Sequence, residues 1–501
     1  MADAETAGRR GHEHGVVAAG HTSVCDAACR ILRSSGNAFD AVVAAGFASA
    51  VCEPALTSLG GGGFLLARTA AGHATLFDFF ADTPGRAAPG QALPADALEP
   101  HFLPVTVHFP GGDQVFNTGL GSAAVPGTLM GLLHVHERLG RLPLAEVLAP
   151  AIELARKGVP LNYHQAYFLS LLEPIMTLTT PARALYAPGG SLLAEGEDLT
   201  NPELAAFLET LPQDGARELY AGGLARHVAR DMAEGQGLLT EADLAAYQVR
   251  ERRPLEARYR GHLLLTNPPP AFGGRLLALA LELLEGHSWP ADLPASPQHG
   301  GALFDVSREV DTRREEHLAA GPRFGRGTTH VSVCDAEGNA ASMTNSNGEG
   351  SGYLVPGTGI MLNNMLGEDD LHPDGFHASP PGQRVASMMS PSILLAGDAV
   401  RMVLGSGGSK RIRSALLHTI SLVVDFDLAL REAVEHPRLH WDGARAQLEP
   451  GFSSSLLERL GAEAKINEWP CRDVYFGGVN AVTPGGEAAG DPRRGGQGMH
   501  C

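Results

Sequence analysis

The sequence predicts a layered α/β fold, with many strands inside and helices packed outside them. Three observations carry this reading. Val331 and Val333 alternate with polar neighbours, and a second strand-like run returns over Ala340 to Ser346. Apolar helical stretches recur between strand-like runs, at 128–139, 275–285 and 410–424. The 501 residues are 44% hydrophobic and 19% charged, the balance of a globular chain with a large core. Length alone suggests two or three domains, although large α/β layers extend as one unit. The 62 glycines and 34 prolines indicate many tight turns, and no repeat at a fixed period is present.

Taken in order, residues 22–50 read as helical, with Thr22 or Ser23 as cap and Ala28, Ile31 and Leu32 on the apolar face. Gly36-Asn37 interrupts them, so Ala38 to Val51 is a second, Ala-rich helix. Gly60-Gly61-Gly62-Gly63 then lets backbone approach backbone or ligand before the strand 64–67. Ala74 to Phe80 is a strand ending in Asp78-Phe79-Phe80. Helices follow at 128–139, from Pro143 to about Lys157, and over 201–233; Thr240 and Asp243 mark another helix start. Pro254 to Asn267 carries strands, and 275–285 is an apolar helix. Residues 286–327, rich in Pro, Gly and Arg, read as a long connection. Strands are expected at 358–363, 391–396 and 400–404, a helix at 410–424, another near 427–435, and strands near 437–448 and 474–482.

The formal charge of −18 argues against a nucleic-acid surface and against docking on anionic membranes. The short basic run Lys410-Arg411-Ile412-Arg413 reads as a local structural or substrate feature. Met1 to Arg10 lacks the apolar core of a secretory signal, and no run reaches the roughly 18 apolar residues of a membrane span. A cytoplasmic location is therefore expected. Cys25, Cys29, Cys52, Cys334, Cys471 and Cys501 form no CxxC pair or Cys/His ligand pattern, and read as buried free thiols of a reducing compartment. His12 and His14 belong to a polar, solvated arm. Neither a metal nor a cofactor is expected.

The chemistry centres on Gly325-Arg326-Gly327-Thr328-Thr329-His330. A threonine hydroxyl needs a base to act as nucleophile. A chain-terminal threonine carries one, because its α-amine has a reference pKa near 7.7–8.0. Cutting the Gly327–Thr328 bond would create that arrangement within one residue. The turn Asp335-Ala336-Glu337-Gly338-Asn339 makes a hairpin of the strands on either side. If Asp335 pairs with Asn339, the register sets Ser346 opposite Thr328, one hydroxyl beside the other. Gly407-Gly408, between a strand and a helix, can offer backbone N–H groups to a developing oxyanion.

These residues stand within an ordered series of motifs: Gly36-Asn37-Ala38-Phe39-Asp40-Ala41, Leu59 to Phe64, Ala124-Val125-Pro126-Gly127, Gly237-Leu238-Leu239-Thr240, Val249 to Arg252, Pro268-Pro269-Pro270 before Gly273-Gly274, Thr328-Thr329-His330, Asn363-Asn364, Met389-Ser390-Pro391, Gly407-Gly408 and Asp491 to Gly496. From about Gly20 to Gly496 the chain resembles the γ-glutamyltranspeptidase family, N-terminal-nucleophile enzymes that cleave themselves into two subunits. The resemblance implies an αββα four-layer sandwich built jointly by a large subunit, 1–327, and a small one, 328–501. It implies Thr328 as nucleophile, Ser346 as its hydroxyl partner, Gly407 and Gly408 as oxyanion donors, and a small-molecule amide with water or an amino acid or peptide as acceptor.

The donor pocket departs from the family pattern. Phe80 stands where an arginine holds the α-carboxylate of a γ-glutamyl group, a strong charge-assisted contact that is lost. A Ser-Ser pair becomes Ser387-Met388, an aspartate becomes Glu368, a glutamine becomes Met365, and an asparagine becomes Gly348 with Asn345 and Asn347 nearby. The Gly-Gly loop is also one residue shorter before Gly407. Phe80, Asn345, Glu368 and Ser387 are the candidate substrate contacts. The first functional reading is a self-processed γ-glutamyl hydrolase or transferase acting on compounds such as glutathione. The second is the same chemistry on another small amide, oxamate-like or other. The third is an unprocessed binding homologue.

Overall fold

The computed structural model describes residues 13–88, 91–92, 102–109, 112–289, 294, 296–315, 327–368, 371–372, 375–376 and 378–501. Two sheets stack at its centre. The first has seven strands in the order Arg250–Arg252, Ala74–Phe79, Gly62–Arg68, Ala340–Ser346, Thr329–Asp335, Gly15–Ala19, Gln497–His500. The second has six, in the order Leu255–Tyr259, His262–Thr266, Ser392–Ala396, Ala399–Gly407, Gly478–Val482, Ala488–Ala489. Neighbouring strands in both sheets run antiparallel.

Alternation along each strand sends successive side chains to opposite faces. Val17, Ala19, Leu65, Phe77, Val331, Val333 and Met343 face the helices Thr22–Arg33, Ala38–Cys52 and Thr128–Leu139. Val16, Ala18, Phe64, Leu66 and Ala340 face the second sheet and meet Leu394, Met402, Leu404, Val479 and Ala481. The helices Gly273–Glu285 and Arg411–Phe426 close the far side. The result is the four-layer αββα sandwich, with each fully buried large apolar side chain contributing roughly 1.5–3 kcal/mol.

Polar residues of the period-2 pattern are buried between the sheets rather than at the surface. His330 is 1% exposed, and its Nδ1 and Nε2 meet the hydroxyls of Thr344 at 2.7 Å and Ser332 at 2.9 Å. Asn480 donates to the His330 carbonyl at 2.8 Å, and Ser342 donates to the Leu404 carbonyl at 3.0 Å, so hydrogen bonds cross the layer. Gly405 makes room for the imidazole: a Cβ there would stand 2.2 Å from His330 Cε1. Burial holds this histidine neutral, with its pKa lowered to about 3.

Several sequence expectations are corrected. His21 caps the first helix, accepting from the Ser23 N–H at 3.1 Å, in place of Thr22 or Ser23. The stretch 201–233 is three helices, Pro202–Asp214, Arg217–Ala221 and Gly223–Glu234. The supposed connection 286–327 contains the helix Pro297–Glu315. Its Gly300 and Gly301 mark tight packing: added Cβ atoms would meet Leu456 at 2.4 Å and Arg459 at 1.9 Å. Cys29 and Cys501 form a disulfide, so they are not free thiols, and the cysteine argument for a reducing compartment fails at these two positions. Cys25, Cys52 and Cys334 are buried and free; Cys471 is exposed. The basic run is structural: Arg411 Nε donates to the Tyr475 carbonyl at 3.0 Å, and Arg413 lies 3.6 Å from Asp311. Met1 to Arg10, His12 and Gly325-Arg326 lie outside the described residues. Among the described residues no helix is long and apolar enough to cross a membrane.

Candidate active site

The hairpin has the register the turn predicts, with Thr329 opposite Asn345 and His330 opposite Thr344. Continued by one residue, it brings Thr328 to Ser346. The Thr328 hydroxyl donates to Ser346 Oγ at 3.3 Å. Ser346 Oγ in turn donates to the Gly327 carbonyl in a short hydrogen bond, and accepts from the Gly348 N–H at 3.1 Å. Both hydroxyl residues are buried. Gly61 permits this close packing, because a Cβ there would stand 2.2 Å from the Ser346 carbonyl oxygen.

A cavity opens over this pair, lined by Phe80, Gly327, Thr328, Ser346, Met365, Glu368, Leu371, Ser387, Met388, Met389, Ser409 and Ile412. Five of the predicted residues therefore meet Thr328 at one place: Gly327, Ser346, Phe80, Glu368 and Ser387. The Phe80 ring stacks on Phe64 at 5.4 Å between centroids. Its carbonyl is held from behind by Tyr247 Oη at 2.8 Å and by Arg384. That arginine is spent on other partners: its Nε lies 3.1 Å from Asp78 and its Nη1 3.3 Å from Asp82. The Ser387 hydroxyl accepts from the Met389 N–H at 3.1 Å. No arginine or lysine lines the cavity among the described residues.

Asn345 is a correction. It sits one residue from Ser346 on a strand and points to the other face, where its Nδ2 approaches Met343 Sδ at 3.6 Å. It does not line the cavity. Gly407 adjoins Thr328 through the backbone: a Cβ at 407 would stand 2.2 Å from the Thr328 carbonyl oxygen. Gly408 has φ +121 and lies against Gly477. Neither glycine lines the cavity, while Ser409 and Ile412 just beyond them do.

Two charged residues beside Thr328 escape a sequence search for site candidates. Arg494 Nη1 donates to the Thr328 carbonyl at 3.4 Å. It follows a turn fixed by buried ion pairs, Asp491 with Arg438 at 2.5 Å and Arg493 with Glu449. Although burial opposes it, Arg438 and Arg493 hold the Asp491 carboxyl below its usual range. The signal was present, since Arg494 belongs to the motif Asp491 to Gly496. Glu53, fully buried after the helix Ala38–Cys52, accepts from Thr329 Oγ1 at 2.9 Å. Burial pushes its carboxyl up to about 7. Nothing in the local sequence Cys52-Glu53-Pro54 points to it.

The chain is similar to known proteins along nearly its whole length. The family model described as gamma-glutamyltranspeptidase matches residues 25–326 and 309–501. The acylase ACY 1 proenzyme of Pseudomonas sp. (strain SE83) is 31% identical over 93% of this chain and 89% of its own. The glutathione hydrolase proenzyme of Escherichia coli (strain K12) is 28% identical over 96% of this chain and 90% of its own. The crystal structure of cephalosporin acylase from Bacillus halodurans superposes with a TM-score of 0.80 at 25% identity, covering 98% of this chain and 96% of that one. Matched along nearly its whole length, the chain belongs to the gamma-glutamyltranspeptidase family of enzymes.

Proposed function

We propose that the chain is a self-processed amidohydrolase with Thr328 as its N-terminal nucleophile, acting on small amides whose acyl part is largely apolar. The observation that carries this reading is the pairing of Thr328 Oγ1 with Ser346 Oγ beneath a cavity walled by Phe80, Met365, Leu371, Met388, Met389 and Ile412. Self-cleavage begins when Thr328 Oγ1 attacks the Gly327 carbonyl carbon. Ser346 donates to that carbonyl oxygen and so stabilises the charge that develops on it. The adduct collapses by breaking the Gly327 C–Thr328 N bond, the Oγ1 proton passing to the nitrogen to give the free Thr328 amine; water then hydrolyses the resulting ester, restoring the hydroxyl and dividing the chain into 1–327 and 328–501. Gly327 forms part of the cavity wall, so its departure widens the pocket.

In turnover the freed amine takes the proton from Thr328 Oγ1 as that oxygen attacks the substrate carbonyl. The proton then passes to the leaving amine, and water or another acceptor cleaves the acyl-enzyme. Gly407, next to the Thr328 carbonyl, and Gly408 after it are the candidate oxyanion donors. A donor carrying an α-carboxylate would meet no cation among the described residues of the cavity wall, whereas an apolar acyl group would meet five aliphatic or thioether side chains and an aromatic ring. The acylase name of one relative fits this choice. Glutathione and other γ-glutamyl amides are the second reading, favoured by Glu368 and Ser387, which remain in the wall.

Amino-terminal sequencing after a reducing, denaturing gel tests the processing: a smaller fragment beginning Thr-Thr-His is expected, and a lone 52.5 kDa band refutes it. A panel comparing γ-glutamyl-p-nitroanilide with apolar acyl-p-nitroanilides tests the substrate. Robust turnover of the γ-glutamyl compound alone would return the second reading to first place.

A further inference from the structure

Glu53 has a carboxyl group with nothing positive bonded to it. Its Oε1 accepts from Thr329 Oγ1, and its Oε2 has no hydrogen-bond partner among the described residues. The site is closed on the remaining side, since a Cβ on Gly20 would stand 2.3 Å from Oε1 and 2.8 Å from Thr329 Oγ1. The groups that act on it or feel it are Arg494 through space, Ser49 on its own helix, and the buried thiols of Cys25 and Cys52. The residue it grips is the neighbour of the proposed nucleophile. We propose that Glu53 is a positioning residue that anchors Thr329 and supplies the counter-charge for the ammonium formed on Thr328.

This rests on the proposed cleavage, which turns an uncharged amide nitrogen into an amine. During acylation Oγ1 bonds to the substrate carbonyl carbon and its proton moves to that amine. A carboxylate bonded to the side chain of the next residue favours the protonated form. When the substrate C–N bond breaks, the proton leaves with the amine product and the charge disappears. An opposite charge nearby raises an amine pKa by about one unit or more.

The test is the pH profile of kcat/KM on the best substrate of the panel, for wild type and Glu53→Gln, with a reducing, denaturing gel run alongside to report cleavage separately. The acidic limb should move down by about one pH unit in E53Q, and Glu53→Asp should restore part of the shift. An unmoved limb in a cleaved, folded E53Q protein overturns the proposal. If E53Q does not fold, Thr329→Val is read the same way: a smaller downward shift supports the anchor, and no shift overturns it. Failure of wild type to cleave would show on the gel as failure of the processing reading instead.

A separate observation carries a second inference. Cys29 and Cys501 are bonded across a sequence separation of 472 residues, one on either side of the 327/328 junction. Cys501 follows the edge strand Gln497–His500, which pairs with Gly15–Ala19. We infer that this disulfide keeps the two proposed subunits covalently joined after cleavage. Under denaturing, non-reducing conditions, thiol alkylation should count four free cysteines out of six, and the cleaved protein should run as one band that reductant splits into two. Six free thiols, or two bands without reductant, would overturn it. The thiol count decides the bridge even in an uncleaved protein.

Discussion

Ser346 Oγ donates to the carbonyl oxygen of Gly327, the group immediately before Thr328. The same hydroxyl that partners the proposed nucleophile thus grips the bond proposed to break. Ser346→Ala removes that donor. Loss of one donor to a developing oxyanion lowers rates by roughly 10²–10³. Processing of S346A, followed as band conversion with time, should slow by that order, and Ser346→Thr should retain much of the rate.

Gly407→Ala should abolish processing and turnover. The new methyl would sit 2.2 Å from the Thr328 carbonyl oxygen, a backbone atom that cannot swing aside as a flexible side chain would. The strand pairing of Gly407 with Gly478 leaves it little freedom to retreat. A folded but single-band G407A protein, with unchanged secondary structure by circular dichroism, is the expected result.

Phe80→Ala should trade stability for space. The ring is fully buried against Phe64, so its removal should cost about 3–5 kcal/mol in a denaturant titration. Remaining activity should shift toward bulkier acyl groups, measured as a rise in their kcat/KM relative to small ones.

Gly348 has φ +60, and a Cβ there would meet Asn364 Oδ1 at 2.0 Å and Glu368 Oε1 at 2.2 Å. Restoring the asparagine of the γ-glutamyltranspeptidase pattern at this position should therefore displace Glu368. G348N should lose activity on every amide in the panel, and no gain on γ-glutamyl-p-nitroanilide is expected.

Stability should fall as pH drops below about 6.5. His330 and His299 are held neutral by burial, each with its pKa lowered to about 3, and His21 is lowered to about 4. The unfolded chain binds protons at these sites near pH 6.5 while the native state does not, so acid favours unfolding. Each histidine should remove roughly 1–2 kcal/mol between pH 6.5 and 5. Glu53 acts in the opposite sense: raised to about 7 by burial, it favours the native state most below its unfolded value and loses that advantage as pH rises to 7. His164, His418, His436 and His440 are lowered by burial as well, and Asp82, Asp243 and Asp305 are raised like Glu53, so seven histidines against four carboxyls leave the net effect destabilising in acid. Melting temperatures at pH 7 and pH 5 check the sign.

The site was legible where local rules decide it. A turn of fixed length set the hairpin register, and that register alone placed Ser346 at Thr328. Asn345 failed by the parity of a strand, since a neighbour in sequence is on the opposite face. The helix Pro297–Glu315 was hidden by Gly300-Gly301 and by its arginines, although Leu303, Val306 and Val310 share a buried side. Glu53, Arg494 and the Cys29–Cys501 bond depend on chain segments hundreds of residues apart, which no local pattern encodes. The apolar cavity wall was readable only in part: Phe80, Met365 and Met388 stood out as departures from a family pattern, while Leu371 and Ile412 join them only through the fold.

The strand order of the seven-stranded sheet has a consequence for timing. Ala340–Ser346 and Thr329–Asp335 lie between Gly62–Arg68 and Gly15–Ala19, so the later half of the chain is threaded into the earlier half. Neither half owns a complete sheet. The hairpin alone pairs Thr328 with Ser346, but Phe80, Gly407 and Arg494 join them only once that weave is finished. A cut made by this geometry would be a receipt for completed folding: a chain that misfolds never assembles the scissors, and one that has been cut and then unravelled faces a two-body search to return.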